Sequence, residues 1–121
     1  MTYQSVKDVE STIAPGVRFR IVRMSFARRV ELMRQVRELA RRREFLEAGK
    51  EPAEKMEAAL MQAEIDRLYV IWGLAGVSGL EVDGAPATPL VLAESGPEAL
   101  FREALAAIKT ETGLSETERK N

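Results

Sequence analysis

Hydrophobic and polar positions alternate over Val17–Met24: Val17, Phe19 and Ile21 fall on one side, Arg18, Arg20 and Val22 on the other. This spacing predicts a strand with one wet face. Ser25 then offers an N-cap, and Phe26, Val30, Met33, Val36, Leu39 and Ala40 recur at helical spacing to about Arg43, with Phe45 and Leu46 prolonging the apolar stripe. Gly49 supplies a stop and Pro52 a first-turn residue, so a second helix is predicted from about Pro52 to Gly73. On it Met56, Leu60, Ala63 and Arg67 form one line, and Met61, Ile65, Leu68 and Trp72 its neighbour. The short connection makes the two helices an antiparallel hairpin.

Beyond the hairpin, Gly73, Gly76 and Gly79 break the pattern. Leu80–Gly84 reads as a short strand entering an Asp-Gly turn, able to pair with the first strand. Thr88-Pro89 opens a short turn, and Gly96-Pro97 opens a helix carrying Leu100, Phe101, Ala104, Leu105 and Ile108, which Gly113 can end. Residues 1–16, polar and closed by Pro15-Gly16, read as a loosely ordered lead-in; 17–112 read as one globular helical domain and 113–121 as a polar tail. In that tail Ser115 and Glu118 have the spacing of a capping box, with too few residues following for a lasting helix. The expected class is mainly α with a small β element (α+β), a helical hairpin plus C-terminal helix packed with one or two short strands. There is no internal repeat.

Composition changes this picture chiefly by exclusion. The chain of 121 residues has neither Cys nor His, so a usual zinc, haem or blue-copper site has no ligands and a serine nucleophile has no imidazole base. The carboxylates lack calcium-loop spacing, Gly73, Gly76 and Gly79 lack dinucleotide-fingerprint spacing, and Gly79–Gly84 is not followed by the Lys and Ser/Thr of a phosphate loop. No catalytic residue, metal ligand or cofactor is assigned, and the expectation is a binding protein rather than an enzyme. A polar, acidic start, no long apolar run and no Cys lead to the expectation of a cytoplasmic protein that does not enter membranes.

Charge adds one sharp feature. Residues 18–43 hold ten Arg, no Lys and two Glu, a formal +8 within a chain whose total is -1. The plainest reading is a partnership inside the fold, with the acidic residues Glu47, Glu51, Glu54, Glu57, Glu64 and Asp66 brought beside the basic helix by antiparallel packing. The functional reading is a face that grips an acidic protein surface, for which Arg28, Arg29, Arg34, Arg37, Arg41 and Arg42 are the candidate partner-binding residues. Nucleic acid ranks behind these, because the pI is 5.6 and no aromatics interleave with the arginines. Trp72 and Tyr69, like Phe19, Phe26 and Phe101, are expected to be core rather than a recognition patch.

The order of segments carries a resemblance. A one-sided strand leads into RMSFARRVELMRQVREL (Arg23 to Leu39), then DRLYVIWGL (Asp66 to Leu74), GLEVDGAPATP (Gly79 to Pro89), GPEALFREALAAI (Gly96 to Ile108) and LSETERKN (Leu114 to Asn121). From about Val17 onward this resembles the tail assembly chaperones of long-tailed bacteriophages and prophages. The resemblance implies a non-structural protein that escorts the tape measure protein, helps tail tube protein polymerise around it, and leaves before the virion matures. It also implies two lengths made by ribosomal frameshifting, with this chain matching the shorter. Two other classes stand beside it: a DNA-binding regulator using the basic helix, and a small connector or completion protein retained in the particle.

Overall fold

The structure is a computed structural model that describes residues 1–113; the expected tail beyond Gly113 lies outside the described residues. The elements run β1 (Val6–Glu10), β2 (Arg18–Val22), α1 (Phe26–Glu47), α2 (Pro52–Gly73), β3 (Leu74–Ser78), β4 (Glu81–Val82), β5 (Ala85–Pro86), α3 (Pro89–Ser95) and α4 (Glu98–Thr112). The expected mainly α, α+β class is what forms.

The helix boundaries follow their local chemistry. The Ser25 side chain accepts from the Arg28 N–H to start α1, and Thr88 does the same with Val91 to start α3, which continues from Pro89 for seven residues. Glu51 and Glu54 form a reciprocal capping box at the head of α2, with Pro52 in the first turn. Gly113 ends α4 in the left-handed conformation, at φ 71°.

The β content exceeds the expected one or two strands. β1, β2 and β3 form an antiparallel sheet in that order. The stretch read as a lead-in thus supplies an edge strand, registered Val6↔Val22 to Glu10↔Arg18. Its two valines lie three residues apart, so no period-two signal betrayed it. The partner of β2 on its other side is β3, which begins as α2 ends, whereas Glu81–Val82 pairs with Ala85–Pro86. Asp83 (φ 53°) and Gly84 (φ 82°) both take positive φ, the two-residue turn that folds a strand straight back on itself. A local hairpin therefore forms in place of the expected long-range pairing.

Val17, Phe19 and Ile21 all point into the core, as the alternation predicts. They meet Leu32 and Val36 of α1, Ile65, Tyr69 and Val70 of α2, Leu92 of α3, and Leu100, Ala104, Leu105 and Ile108 of α4 in one cluster. Two glycines set its tightest approaches. A Cβ on Gly73 would strike the Ile108 side chain, and one on Gly79, itself at φ 77°, would strike the Gly16 carbonyl. Among the described residues, no helix is long and apolar enough to cross a membrane.

Candidate functional site

The candidate arginines all belong to α1, and the helix sorts them by face. Its buried line is Leu32, Val36, Ala40 and Arg43, spaced four, four and three residues apart and turned toward α2. This corrects the expected stripe: Met33 and Leu39 are half-buried flanks, while Phe26 and Phe45 are 86% and 77% exposed and Val30 is exposed too. α1 packs chiefly against one helix, so one narrow line of side chains suffices to seat it.

At about 100° per residue, Phe26, Val30, Arg34, Arg37, Arg41 and Phe45 share a single arc outside that line. The stripe covers 19 residue steps, about 28 Å at 1.5 Å per residue. Apolar side chains occupy both ends and three arginines the middle. Beside Phe45, a shallow hollow of about 310 Å³ is lined by Arg41, Arg42, Phe45 and Leu46.

The six candidates do not act as one group. Arg28 is exposed and lies over the end of α2: its guanidinium is 4.6 Å from the centre of the Trp72 ring and donates two hydrogen bonds, of 3.0 and 3.3 Å, to the Trp72 carbonyl. It clamps the start of α1 to the end of α2 while remaining exposed, so of the six it has a structural role in the fold as well. Arg34 pairs with Glu31 at 2.8 Å within its own helix. Arg29, Arg37, Arg41 and Arg42 make no side-chain hydrogen bond or ion pair among the described residues; Arg29 is half-buried and the other three are exposed.

Among the described residues, basic α1 reaches the acids of α2 through Arg43 and a neutral intermediary. That buried guanidinium donates to the Gln62 side chain and approaches Glu47 at 3.8 Å. Gln62 in turn donates to Asp66 at 3.0 Å, and Asp66 is held by Arg102 at 3.0 Å and Lys109 at 3.9 Å from α4. Glu51 and Glu54 cap α2, while Glu57 and Glu64 face solvent without a partner among the described residues. The acids therefore do not neutralise the outer face of α1.

A second polar cluster ties the β1–β2 loop to α4. The Glu103 carboxylate accepts from the Ser11 hydroxyl at 2.5 Å, the Thr12 N–H at 2.7 Å and the Thr12 hydroxyl at 2.9 Å. Burial by itself raises the Glu103 pKa, but the hydrogen bonds from Ser11, Thr12 and the Ile13 backbone together outweigh it and hold the group below the usual glutamate range. Nearby, Glu111 meets Lys7 at 3.8 Å and Arg23 at 3.4 Å. These are fastenings of the sheet to α4.

Of the aromatics expected in the core, Phe19 and Tyr69 are fully buried and Phe101 and Trp72 half-buried, but Phe26 is outside. Phe26, Val30 and Phe45 were missed as surface residues because any apolar set at helical spacing looks like core. The available signal was that they share an arc with Arg34, Arg37 and Arg41, whereas Leu32 and Val36 do not. Comparisons with models of known protein families, with curated proteins and with solved structures find no match for this chain.

Proposed function

We propose that this chain is a tail assembly chaperone of a long-tailed bacteriophage or prophage, acting in the host cytoplasm by binding alone. It holds an amphipathic segment of the tape measure protein against the outer face of α1 and so assists assembly of tail tube protein. The family part of this reading rests on the sequence resemblance. The observation that carries the binding part is the stripe of Phe26, Val30 and Phe45 bracketing Arg34, Arg37 and Arg41, exposed on one continuous helix.

Long helical segments awaiting assembly present apolar rows that aggregate when unpaired, and a helix face of similar length can cover them. Burying each phenylalanine contributes about 2 kcal/mol. Binding must also offset lost translational and rotational freedom, which leaves a modest, reversible affinity. Arginine in the middle of the stripe selects acidic helices and makes the grip sensitive to salt.

The test is co-purification of the tagged chain from cells that also express the neighbouring proteins of its genetic locus, with bound material identified by mass spectrometry. Recovery of a long helical protein or a tube subunit supports the reading. Recovery of nuclease-sensitive nucleic acid alone, with steep salt dependence, transfers the function to a DNA-binding regulator. Retention of the chain in purified virions makes it a connector instead.

A further inference from the structure

The three-stranded sheet has two outer edges, and they differ. β3 shifts register against β2 between Arg20 and Ile21, whereas β1 runs unbroken from Val6↔Val22 to Glu10↔Arg18. Just beyond one end of that ladder the Arg23 N–H donates to the Ser5 carbonyl, and just beyond the other the Ser11 N–H donates to the Val17 carbonyl. Bonded pairs alternate along an antiparallel ladder, so Lys7 and Val9 bond to β2 while Val6, Asp8 and Glu10 turn their N–H and C=O groups to the open side. Those groups have no backbone partner among the described residues. β1 thus offers a row of donors and acceptors at two-residue intervals, the template on which a further strand forms.

The side chains select the kind of strand. Val9 lies opposite Phe19 on the core side of the sheet, where Lys7 is already matched by Glu111 at 3.8 Å. On the outer face Asp8 and Glu10 form a column, their side chains 53% and 73% exposed. Each is held from one side: Arg18 donates to Glu10 Oε1 and Arg20 to Asp8 Oδ1, so Glu10 Oε2 and Asp8 Oδ2 accept no hydrogen bond among the described residues. We propose that β1 takes an extended basic segment of a partner protein as a fourth, antiparallel strand, with Lys or Arg at the two alternate positions opposite Asp8 and Glu10 and an apolar residue opposite Val9. The incoming cations repeat on the open side what Arg18 and Arg20 do on the other, and the main-chain bonds supply attraction that is independent of side chains. Charge excludes a second β1 as the occupant, because two such edges paired antiparallel set carboxylates against carboxylates. No part of this rests on the proposed function, whose surface is on α1.

The test is amide hydrogen exchange of the full chain followed by NMR, alone and with a fluorescent peptide of alternating lysine and valine, about nine residues long, whose affinity is read by anisotropy. The free chain is expected to protect the amides of Lys7 and Val9 and to exchange quickly at Val6, Asp8 and Glu10; saturating peptide is expected to protect those three as well. The Asp8→Asn/Glu10→Gln variant is expected to bind about fivefold more weakly. Val6→Pro, which removes an N–H that the ladder does not use, is also expected to weaken binding with both acids in place. Circular dichroism checks that each variant keeps the parent's fold, and a peptide with glutamate in place of lysine is expected not to bind. Failure of the lysine peptide to bind overturns the inference, as does equal binding by the glutamate peptide or by the Asp8→Asn/Glu10→Gln variant. Binding that leaves the Val6, Asp8 and Glu10 amides unprotected also overturns it, since the peptide then sits elsewhere. So does protection of those amides that grows with chain concentration in the absence of peptide, which would make the occupant a second copy.

Discussion

The ten arginines between Arg18 and Arg43 form one run in sequence and two populations in space, divided at Ser25. Those before it sit on or just after β2, and every one has a carboxylate: Arg18 meets Glu10 at 2.9 Å, Arg20 meets Asp8 at 3.1 Å and Arg23 meets Glu111 at 3.4 Å. Those after it ride on α1, and Arg29, Arg37, Arg41 and Arg42 have none among the described residues. Strand register explains the first group, because Arg18 is paired across from Glu10 and Arg20 from Asp8, and side chains directly opposite on one face meet. Helix geometry explains Arg37 and Arg41 of the second, because the face that packs on α2 is narrow and these arginines of the outer arc point away from the acids of that neighbour. A charge run therefore says little until the backbone has divided it; here the three strand-side arginines fasten the sheet, and four of the seven on α1 have no carboxylate among the described residues.

That division can be broken or sharpened by substitution. The largest effect is expected from Leu32→Ala, which empties a buried position under α1: a loss of about 3 kcal/mol, read as a lowered denaturation midpoint with an unchanged slope. If α1 were seated by its charges rather than by that buried line, the loss would be far smaller. Asp66→Asn is expected to cost about 1–2 kcal/mol in the same measurement, because it weakens the carboxylate that Gln62, Arg102 and Lys109 share.

Acid provides a milder test on the sheet side. A glutamate whose folded pKa is lowered contributes stability that is fully present above its unfolded pKa and fades as pH falls through the folded value. The Glu103 contribution should thus vanish below the ordinary glutamate range, loosening the β1–β2 loop, and Glu103→Gln should flatten that part of the stability–pH curve. Amide exchange at Thr12 is the local readout. Smaller still, Arg20→Ala should cost less than about 1 kcal/mol, since its ion pair is exposed. Arg37→Ala and Arg41→Ala should fall within about 0.5 kcal/mol of zero while still weakening partner capture. A stability loss at Arg37 or Arg41 equal to that at Arg20 would erase the distinction between the two populations.

How much of this was legible beforehand depended on how local each signal was. β2, the helical hairpin, the cap at Ser25 and the stop at Gly113 are written in adjacent residues, and all of them formed; the short turn expected after Thr88-Pro89 lengthened into the seven residues of α3. β1 was not legible because Val6 and Val9 do not alternate, and β3 because Leu74–Ser78 is small and glycine-containing and runs directly out of a helix. The Asp83-Gly84 turn was read, but not that it would return the chain on Ala85–Pro86. At the candidate site, the arginines could be named from sequence and their faces could not. Arg28 looked like its neighbours until the fold brought Trp72, 44 residues away, beneath it. Phe26 and Phe45 looked like core until α1 proved to need only one line of contacts.

The outer face of α1 is the working surface proposed for this protein. Its most direct test is to repeat the co-purification from locus-expressing cells with three tagged forms: the parent, the Phe26→Ala/Phe45→Ala variant, and the Arg34→Glu/Arg37→Glu/Arg41→Glu variant. The parent is expected to retain a long helical protein or a tube subunit, and both variants to lose most of it while melting within a few degrees of the parent. Equal recovery by all three forms, or capture of nothing but nucleic acid, would contradict it.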